Sequence, residues 1–322
     1  MKHPILSIFT IAQNRTLFVT IFTLLALVVV PSLVPSLAFQ TAFGAEAESP
    51  ASSEEAVSET TESAEQDEEN IFVRLRQNDT GEDVALETSI LVFSSADGGL
   101  KVSLVGAIHV AEKQYYDALN EKFKTYDAVL YEVVAEKGAR PEKGSQGGFL
   151  GFLQRTFGTT LGLVHQIGSI DYSGENMVHA DMTPEDFKKA MEAREESFLT
   201  MYARSVGYGI ARTRPNNGNS NLQFLSLLFK RNKQKELKRM FAKEMCDMDS
   251  SIEPFDSGDG SAILTDRNEH ALAILKEQID AGKTNIAIFY GAAHLPHLAE
   301  KLESDFGLTR ESVEWLSAWT LE

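Results

Sequence analysis

The sequence Gly-x-x-His directly follows an apolar run at two places in this chain. Gly106–His109 follows Lys101–Val105, and Gly291–His294 follows Asn285–Tyr290. Both runs are rich in β-branched and aromatic residues and predict buried strands, and a helical pattern of apolar residues follows each histidine. Because ligands bind at the carboxyl ends of strands in open α/β sheets, we expect the two histidines to meet in one site.

Residues 1–45 have the composition of a secretory signal peptide. Lys2 and Arg15 precede the apolar stretch 17–39, and small residues follow it. We therefore expect an exported protein, periplasmic or secreted. The alternative is that residues 17–39 form an uncleaved membrane anchor, because a stretch of that length can just span a bilayer of about 30 Å. The anchored domain would then lie outside the cytoplasm.

Residues 46–70 contain ten acidic residues and no Lys or Arg. Such a segment buries too little apolar surface to offset its ordering entropy, so we expect a disordered linker that the folded domain does not need. The linker explains much of the net charge of −17, which is therefore no sign of a cationic substrate. An acidic chain also argues against a nucleic acid partner.

Residues 71–322 read as one α/β domain in which strands and helices alternate. Ile90–Ser94 and Lys101–Val105 predict a hairpin. A helix at about 112–124 and a strand at 127–134 follow, which is the βαβ unit of parallel sheets. We expect a central mixed, mostly parallel sheet with flanking helices.

Residues from about 140 to 260 are expected to form a helical insertion. The Gly-rich apolar segment 147–168 predicts either a buried helix or a mobile cap over a substrate groove. Thr183 and Pro184 predict the start of a helix. The basic pattern over 222–245 predicts a helix with a solvated face, the alternative being a patch for a membrane surface or an acidic partner.

Glu132 is the one acid inside the apolar run VLYEVV, where a carboxylate is costly unless it is paired or binds a cation. Together with His109 and His294 it makes a three-ligand metal set that leaves room for water. The alternative is an ion pair with Arg267, which lies on the apolar face of its helix. Arg267 itself either pairs with Glu132 or holds a substrate carboxylate or the charge of a tetrahedral intermediate.

His179 and Asp181 lie in the short apolar segment MVHADM, just before the predicted cap at Thr183. They are weaker candidates for completing a metal site. Hydrogen bonding at a strand end is the favoured interpretation for both.

The set GAIH at 106–109, Glu132 in VLYEVV, the pair Arg267-Asn268 and GAAH at 291–294 resembles the TraB/PrgY/GumN superfamily, which includes the Tiki metalloproteases. The resemblance covers about residues 88–320. It implies a fold similar to erythromycin esterase and ChaN-like proteins.

The resemblance also implies a metal-dependent hydrolase, and specifically a peptidase acting on a peptide or protein. His109, Glu132 and His294 would hold Mn or Co, with Zn as a further possibility, and Glu132 and Arg267 would take part in catalysis. The alternative is a protein of the same fold that binds a peptide or haem without turnover. Oligomeric state stays open.

Overall fold

The computed structural model describes residues 71–142, 161–197, 200, 232–246 and 260–322. Strands β1 to β9 span Val73–Gln77, Asp83–Ser94, Lys101–Ala107, Val110–Ala111, Ala128–Tyr131, Val164–His165, Met177–His179, Asn285–Gly291 and Thr309–Thr320. Helices α1 to α6 span Lys113–Phe123, Gln166–Ser169, Pro184–Ala193, Lys233–Cys246, Arg267–Asp280 and Leu295–Ser304. A π-helical turn, Ala262–Asp266, precedes α5, and a 3-10 turn, Ala292–His294, precedes α6.

Seven of these strands form one mixed sheet. Strands β3, β8, β5 and β7 lie side by side in that order and run parallel. Strand β2 pairs antiparallel with β1, β3 and β9. Strands β4 and β6 form a separate two-stranded ribbon. The expectation of an α/β class with a mixed, mostly parallel sheet and flanking helices is confirmed.

Helices cover both faces of the sheet, and the strands alternate between the two resulting cores. Helices α1 and α4 pack on one face, and α5 and α6 on the other. In β8, Ala287 and Phe289 enter the first core, whereas Ile286, Ile288 and Tyr290 enter the second. Because both faces are covered, the strand is a continuous apolar run rather than an alternation of polar and apolar residues.

The predicted hairpin is confirmed as β2 and β3, and α3 begins as expected. The Thr183 side chain accepts a hydrogen bond from the Asp186 backbone N–H, and Pro184 occupies the first turn. The strand predicted at 127–134 is shorter, since β5 ends at Tyr131. Glu132 therefore lies one residue beyond the strand and not inside it, although its N–H still bonds the carbonyl of Phe289.

The stretch from 140 to 260 is not purely helical where the structure describes it. Strand β7 from this stretch extends the main sheet beside β5. Helix α4 covers residues 233–245 of the basic pattern predicted over 222–245, and residues 222–231 lie outside the described residues. The predicted signal peptide 1–45, the linker 46–70 and most of the Gly-rich segment 147–168 lie outside the described residues. Within the described ranges, no helix has the length and apolar character to cross a bilayer.

Candidate functional site

The two Gly-x-x-His turns leave the sheet at the same edge, as predicted. Strands β3 and β8 are parallel neighbours, and their register pairs Ala107 with Gly291. Strand β5 lies on the far side of β8 and not beside β3. Glu132 therefore reaches the site beside the second motif.

The three proposed metal ligands surround Gly291. A Cβ atom at this glycine would lie 3.3 Å from Glu132 Oε2, 3.6 Å from His109 Nε2 and 3.7 Å from His294 Cδ2. All three side chains are buried. Glycine at this position leaves the space in which a carboxylate and two imidazoles meet.

The Glu132 carboxylate is held by several groups at once. Its Oε2 accepts the N–H of Gly291 at 2.6 Å, and its Oε1 accepts Arg267 Nη2 at 2.6 Å. Burial raises the pKa of Glu132, but the Arg267 guanidinium, with His294 and His109 beside it, outweighs burial and holds that pKa well below its usual range. Glu132 is therefore ionised at neutral pH.

Arg267 joins Glu132 to Asp181. The Arg267 Nε and Nη2 atoms donate to the two Asp181 oxygens at 2.9 and 2.6 Å, and Nη1 donates to the carbonyl of Ile263. Of the two interpretations of Arg267, the structure shows the ion pair with Glu132. Its guanidinium is fully buried, so in this conformation it faces carboxylates of the chain itself and not solvent.

Burial lowers the pKa of Arg267, but Asp181 and Glu132 outweigh that effect and raise it.

The start of helix α5 explains how the Arg267 side chain enters the core. Arg267 is the first residue of α5, directly after the π-helical turn, and Glu196 Oε2 accepts the N–H of Ala262 at the start of that turn. Asp181 thus belongs to the site through Arg267, as the partner of a buried cation.

His179 lies outside this cluster of contacts. Its Nε2 donates to the carbonyl of Val133 at 2.6 Å, and its Nδ1 accepts the N–H of Gly138 at 3.2 Å. The favoured interpretation, hydrogen bonding at a strand end, is confirmed for His179. The residue braces the segment that follows Glu132.

His294 is oriented by Asn268. The Asn268 Nδ2 group donates to the carbonyl of His294 at 3.2 Å and lies 3.3 Å from His297 Nδ1, so Oδ1 is the atom 2.7 Å from His294 Nδ1. That oxygen can only accept, so His294 carries its proton on Nδ1. The remaining nitrogen, Nε2, then stands 3.5 Å from Glu132 Oε1.

A neutral His294 therefore turns a lone pair toward a carboxylate oxygen. Two electron-rich atoms at this separation require a positive charge, either a proton on Nε2 or a metal cation near both. Imidazole and carboxylate are also the donors that Zn, Mn and Co accept in proteins. The donor set thus fits a divalent metal in chemistry.

The spacing is not that of a completed metal site. Within the described ranges, no group of three or more His, Cys, Asp or Glu side chains is arranged to hold a metal ion as it stands. Both Glu132 oxygens are engaged by Gly291 and Arg267. Binding of an ion would need the Glu132 carboxylate to share one of these oxygens.

The turn that carries His109 is fixed by four hydrogen bonds to backbone carbonyls between Gly106 and Val110, which the sequence did not reveal. The Tyr115 and Tyr116 hydroxyls donate to the carbonyls of Gly106 and Ile108. The carbonyls of His109 and Val110 accept the Gln166 N–H and the Trp319 Nε1–H. Nothing in the local sequence marks these partners, because they lie up to 209 positions away.

Gln166 was also missed as a site residue. Its Oε1 lies 2.9 Å from His109 Nδ1, and its Nε2 donates to the Tyr172 hydroxyl at 3.3 Å. The side chain is buried in the short helix α2, at the end of the Gly-rich segment. A glutamine in such a segment carries no sequence signal for this role.

Comparison of the chain with models of known families, with curated proteins and with solved structures finds no match.

Proposed function

We propose that this chain is an exported metal-dependent hydrolase, and specifically a peptidase, of the TraB/PrgY/GumN type with an erythromycin-esterase/ChaN-like fold. The observation that carries the proposal is the convergence of His109, His294 and Glu132 around Gly291. This point lies at the carboxyl edge of parallel strands, where α/β proteins bind ligands.

His109, Glu132 and His294 would hold one divalent ion, Mn or Co by the family resemblance or Zn by donor chemistry. When bound, such an ion lowers the pKa of a water ligand and polarises a scissile carbonyl. The chain supplies the charge balance. Glu132 stays ionised because Arg267 and the Gly291 N–H hold it, and Arg267 keeps that orientation through its bonds to Asp181.

In this proposal Arg267 positions Glu132 and does not contact the substrate. Its nitrogens donate to Asp181, Ile263 and Glu132, and the guanidinium is buried. A transition-state role would require it to leave two carboxylates, and breaking buried ion pairs costs about 3–5 kcal/mol.

The second candidate is a binding protein that takes up a peptide or haem without turnover. The engagement of both Glu132 oxygens favours it, because a protonated His294 would complete the charge balance at 3.5 Å without any metal. The two candidates differ in whether a divalent ion binds at Glu132 and whether bound peptide is cleaved.

The variant Glu132→Gln separates the two candidates. It preserves the size of the side chain but removes the charge that a cation needs. For the purified full chain, we expect binding of Mn²⁺ or Co²⁺, measured by titration calorimetry, to weaken at least tenfold, and cleavage of a peptide library to disappear. Asp181 still pairs with Arg267, so the chain should remain folded.

The matched control is His270→Ala, a histidine on the partly exposed side of α5. This variant should retain both metal binding and cleavage. Unchanged cleavage in Glu132→Gln would refute the metallohydrolase proposal. Peptide binding without cleavage by the wild-type chain, at any metal concentration, would support the binding protein instead.

A further inference from the structure

Each motif histidine makes two hydrogen bonds with one buried residue that carries a side-chain amide. Gln166 donates its backbone N–H to the carbonyl of His109 at 2.9 Å and sets Oε1 2.9 Å from His109 Nδ1. Asn268 donates Nδ2 to the carbonyl of His294 and sets Oδ1 2.7 Å from His294 Nδ1. The two amides come from different elements, α2 and α5, so the same arrangement has been built twice from unrelated segments.

This arrangement decides which ring nitrogen carries the proton. An amide oxygen has lone pairs only, so the facing Nδ1 must be the donor, and the Nε2 atom of a neutral imidazole then keeps its lone pair. Both Nε2 atoms lie on the Glu132 side of the rings: that of His109 is 3.6 Å from the Cβ position of Gly291, and that of His294 is 3.5 Å from Glu132 Oε1.

We propose that Gln166 and Asn268 are matched positioning residues that hold both motif histidines as Nδ1–H tautomers and so turn two Nε2 lone pairs toward a divalent cation beside Glu132. The inference rests on the proposed function, because it assigns two further residues to the same metal site. Partners that hold the second nitrogen of a ligating histidine fix its tautomer and orientation, and their loss typically weakens metal binding 10–100-fold.

His179 provides an internal reference in the same molecule. Its Nε2 faces the carbonyl of Val133 and its Nδ1 accepts the N–H of Gly138, so it must be the opposite tautomer, with the proton on Nε2. The structure thus assigns Nδ1–H to His109 and His294 and Nε2–H to His179.

The first test reads these tautomers directly in the metal-free protein. Two-bond ¹H–¹⁵N correlation spectra of the full chain, labelled at its seven histidines, distinguish the two nitrogens at about pH 8, where an ordinary imidazole is neutral. Single histidine-to-glutamine variants assign the signals. We expect Nδ1–H for His109 and His294 and Nε2–H for His179. An imidazole of His109 or His294 that carries its proton on Nε2 and none on Nδ1 would overturn the inference.

The second test removes and then restores the acceptor at His109. Gln166→Met keeps the length of the side chain but loses the oxygen, so we expect His109 to lose its fixed tautomer and Mn²⁺ affinity to fall about 10–100-fold. Gln166→Glu retains an acceptor at the same position and should keep the Nδ1–H tautomer, with Mn²⁺ affinity within about threefold of wild type.

The matched control is Asn176→Ala, which removes another partly buried amide, one that bonds the carbonyls of Phe123 and Tyr126. It should leave the tautomers and the Mn²⁺ affinity unchanged even if the protein becomes less stable. A similar loss of affinity in this variant would show that Gln166 acts only through general stability and would overturn the inference.

Failure of the inference and failure of the proposed function give different results. The expected tautomers with no Mn²⁺ binding by the wild-type chain would refute the proposed function and the cation beside Glu132, while supporting the tautomer assignment. Mn²⁺ binding that Gln166→Met leaves intact would overturn the positioning role and support the proposed function. If Gln166→Met does not fold, the wild-type spectrum and Gln166→Glu still decide the matter.

Discussion

At the scale of single residues, the two glycines of the repeated motif have different reasons to be there. A Cβ atom at Gly106 would lie 3.2 Å from Leu295 Cδ2 and 3.3 Å from the backbone oxygen of Ser89, both parts of the packed core. A Cβ atom at Gly291 would instead meet the side chains of the site. The sequence shows one motif used twice, but the structure shows one packing glycine and one site glycine.

We predict that Gly291→Ala impairs the site without unfolding the protein. Gly291 has φ −50° and ψ 138°, a conformation that alanine adopts readily. The lower backbone entropy of the unfolded variant therefore offsets part of the destabilisation caused by the added methyl group. The thermal midpoint should stay within a few degrees of wild type, and Mn²⁺ affinity should fall at least tenfold because the methyl group lies 3.3 Å from Glu132 Oε2.

Gly106→Ala is the paired measurement for this prediction. Its methyl group presses on backbone and on Leu295, so the free energy of unfolding should drop by about 1–3 kcal/mol. Urea denaturation and calorimetry on both variants check the pair. If Gly291→Ala binds Mn²⁺ like wild type, the metal does not lie where we propose.

At the scale of elements, periodicity predicts the strands and helices that carry the site, but not their neighbours. The runs that became β3 and β8 are visible because both faces of each strand are buried. The order β3-β8-β5 depends on contacts between distant segments, so the placement of Glu132 beside the second motif could not be read from VLYEVV. For the same reason Gln166 was missed, and the pairing of Asp181 with Arg267 was not predicted.

Glu112 shows how elements are joined around the site. Glu112 lies just before α1. Its carboxylate accepts hydrogen bonds from Lys238 Nζ of α4 and from the backbone N–H of Thr320 in β9. Burial raises the pKa of Glu112, but the bonds to Lys238 and Thr320 outweigh burial and lower it below its ordinary value of 4.5. The ionised carboxylate therefore stabilises the folded chain.

We predict that Glu112→Gln lowers the free energy of unfolding by about 1 kcal/mol at neutral pH. Because the folded pKa is lowered, this contribution is fully present above the unfolded value and is lost as pH falls through the folded value. The difference between wild type and variant should therefore shrink below about pH 4.5 and then vanish, as urea denaturation at several pH values would show.

Glu121→Gln on the same helix is the matched control. Its ion pair with Lys124 is exposed on both sides, and such pairs contribute little at any pH. If the difference in unfolding free energy between wild type and Glu112→Gln persists unchanged in acid, the carboxylate charge is not what stabilises the contact of Glu112 with α4 and β9.

At the scale of the whole molecule, β9 returns from the far end of the chain to complete the sheet. It pairs with β2 along nearly the whole length of that strand. Trp319 on β9 is buried and donates its Nε1–H to the carbonyl of Val110, in the segment directly after His109. The first motif is thus held by a strand that follows the second motif.

We predict that Trp319→Phe destabilises the fold by about 1–3 kcal/mol, because the Val110 carbonyl loses its donor in a buried position. Trp315→Phe is the control, since that ring is only partly buried and the phenyl ring only weakens its contact with the Arg74 guanidinium, itself worth about 1 kcal/mol or less. Chemical denaturation of the two variants makes the comparison, and equal losses would contradict the assigned role of the Trp319 hydrogen bond.

The pairing of β2 with β9 also has a consequence in time. It joins residues such as Ser94 and Glu311, which are 217 positions apart, and contacts between such distant residues form late in folding. His109 is synthesised long before β9, yet the turn that holds His109 gains its last hydrogen bond only when Trp319 on β9 has packed against Val110. A nascent chain of this topology therefore has no finished site until the residues of β9 have emerged from the ribosome.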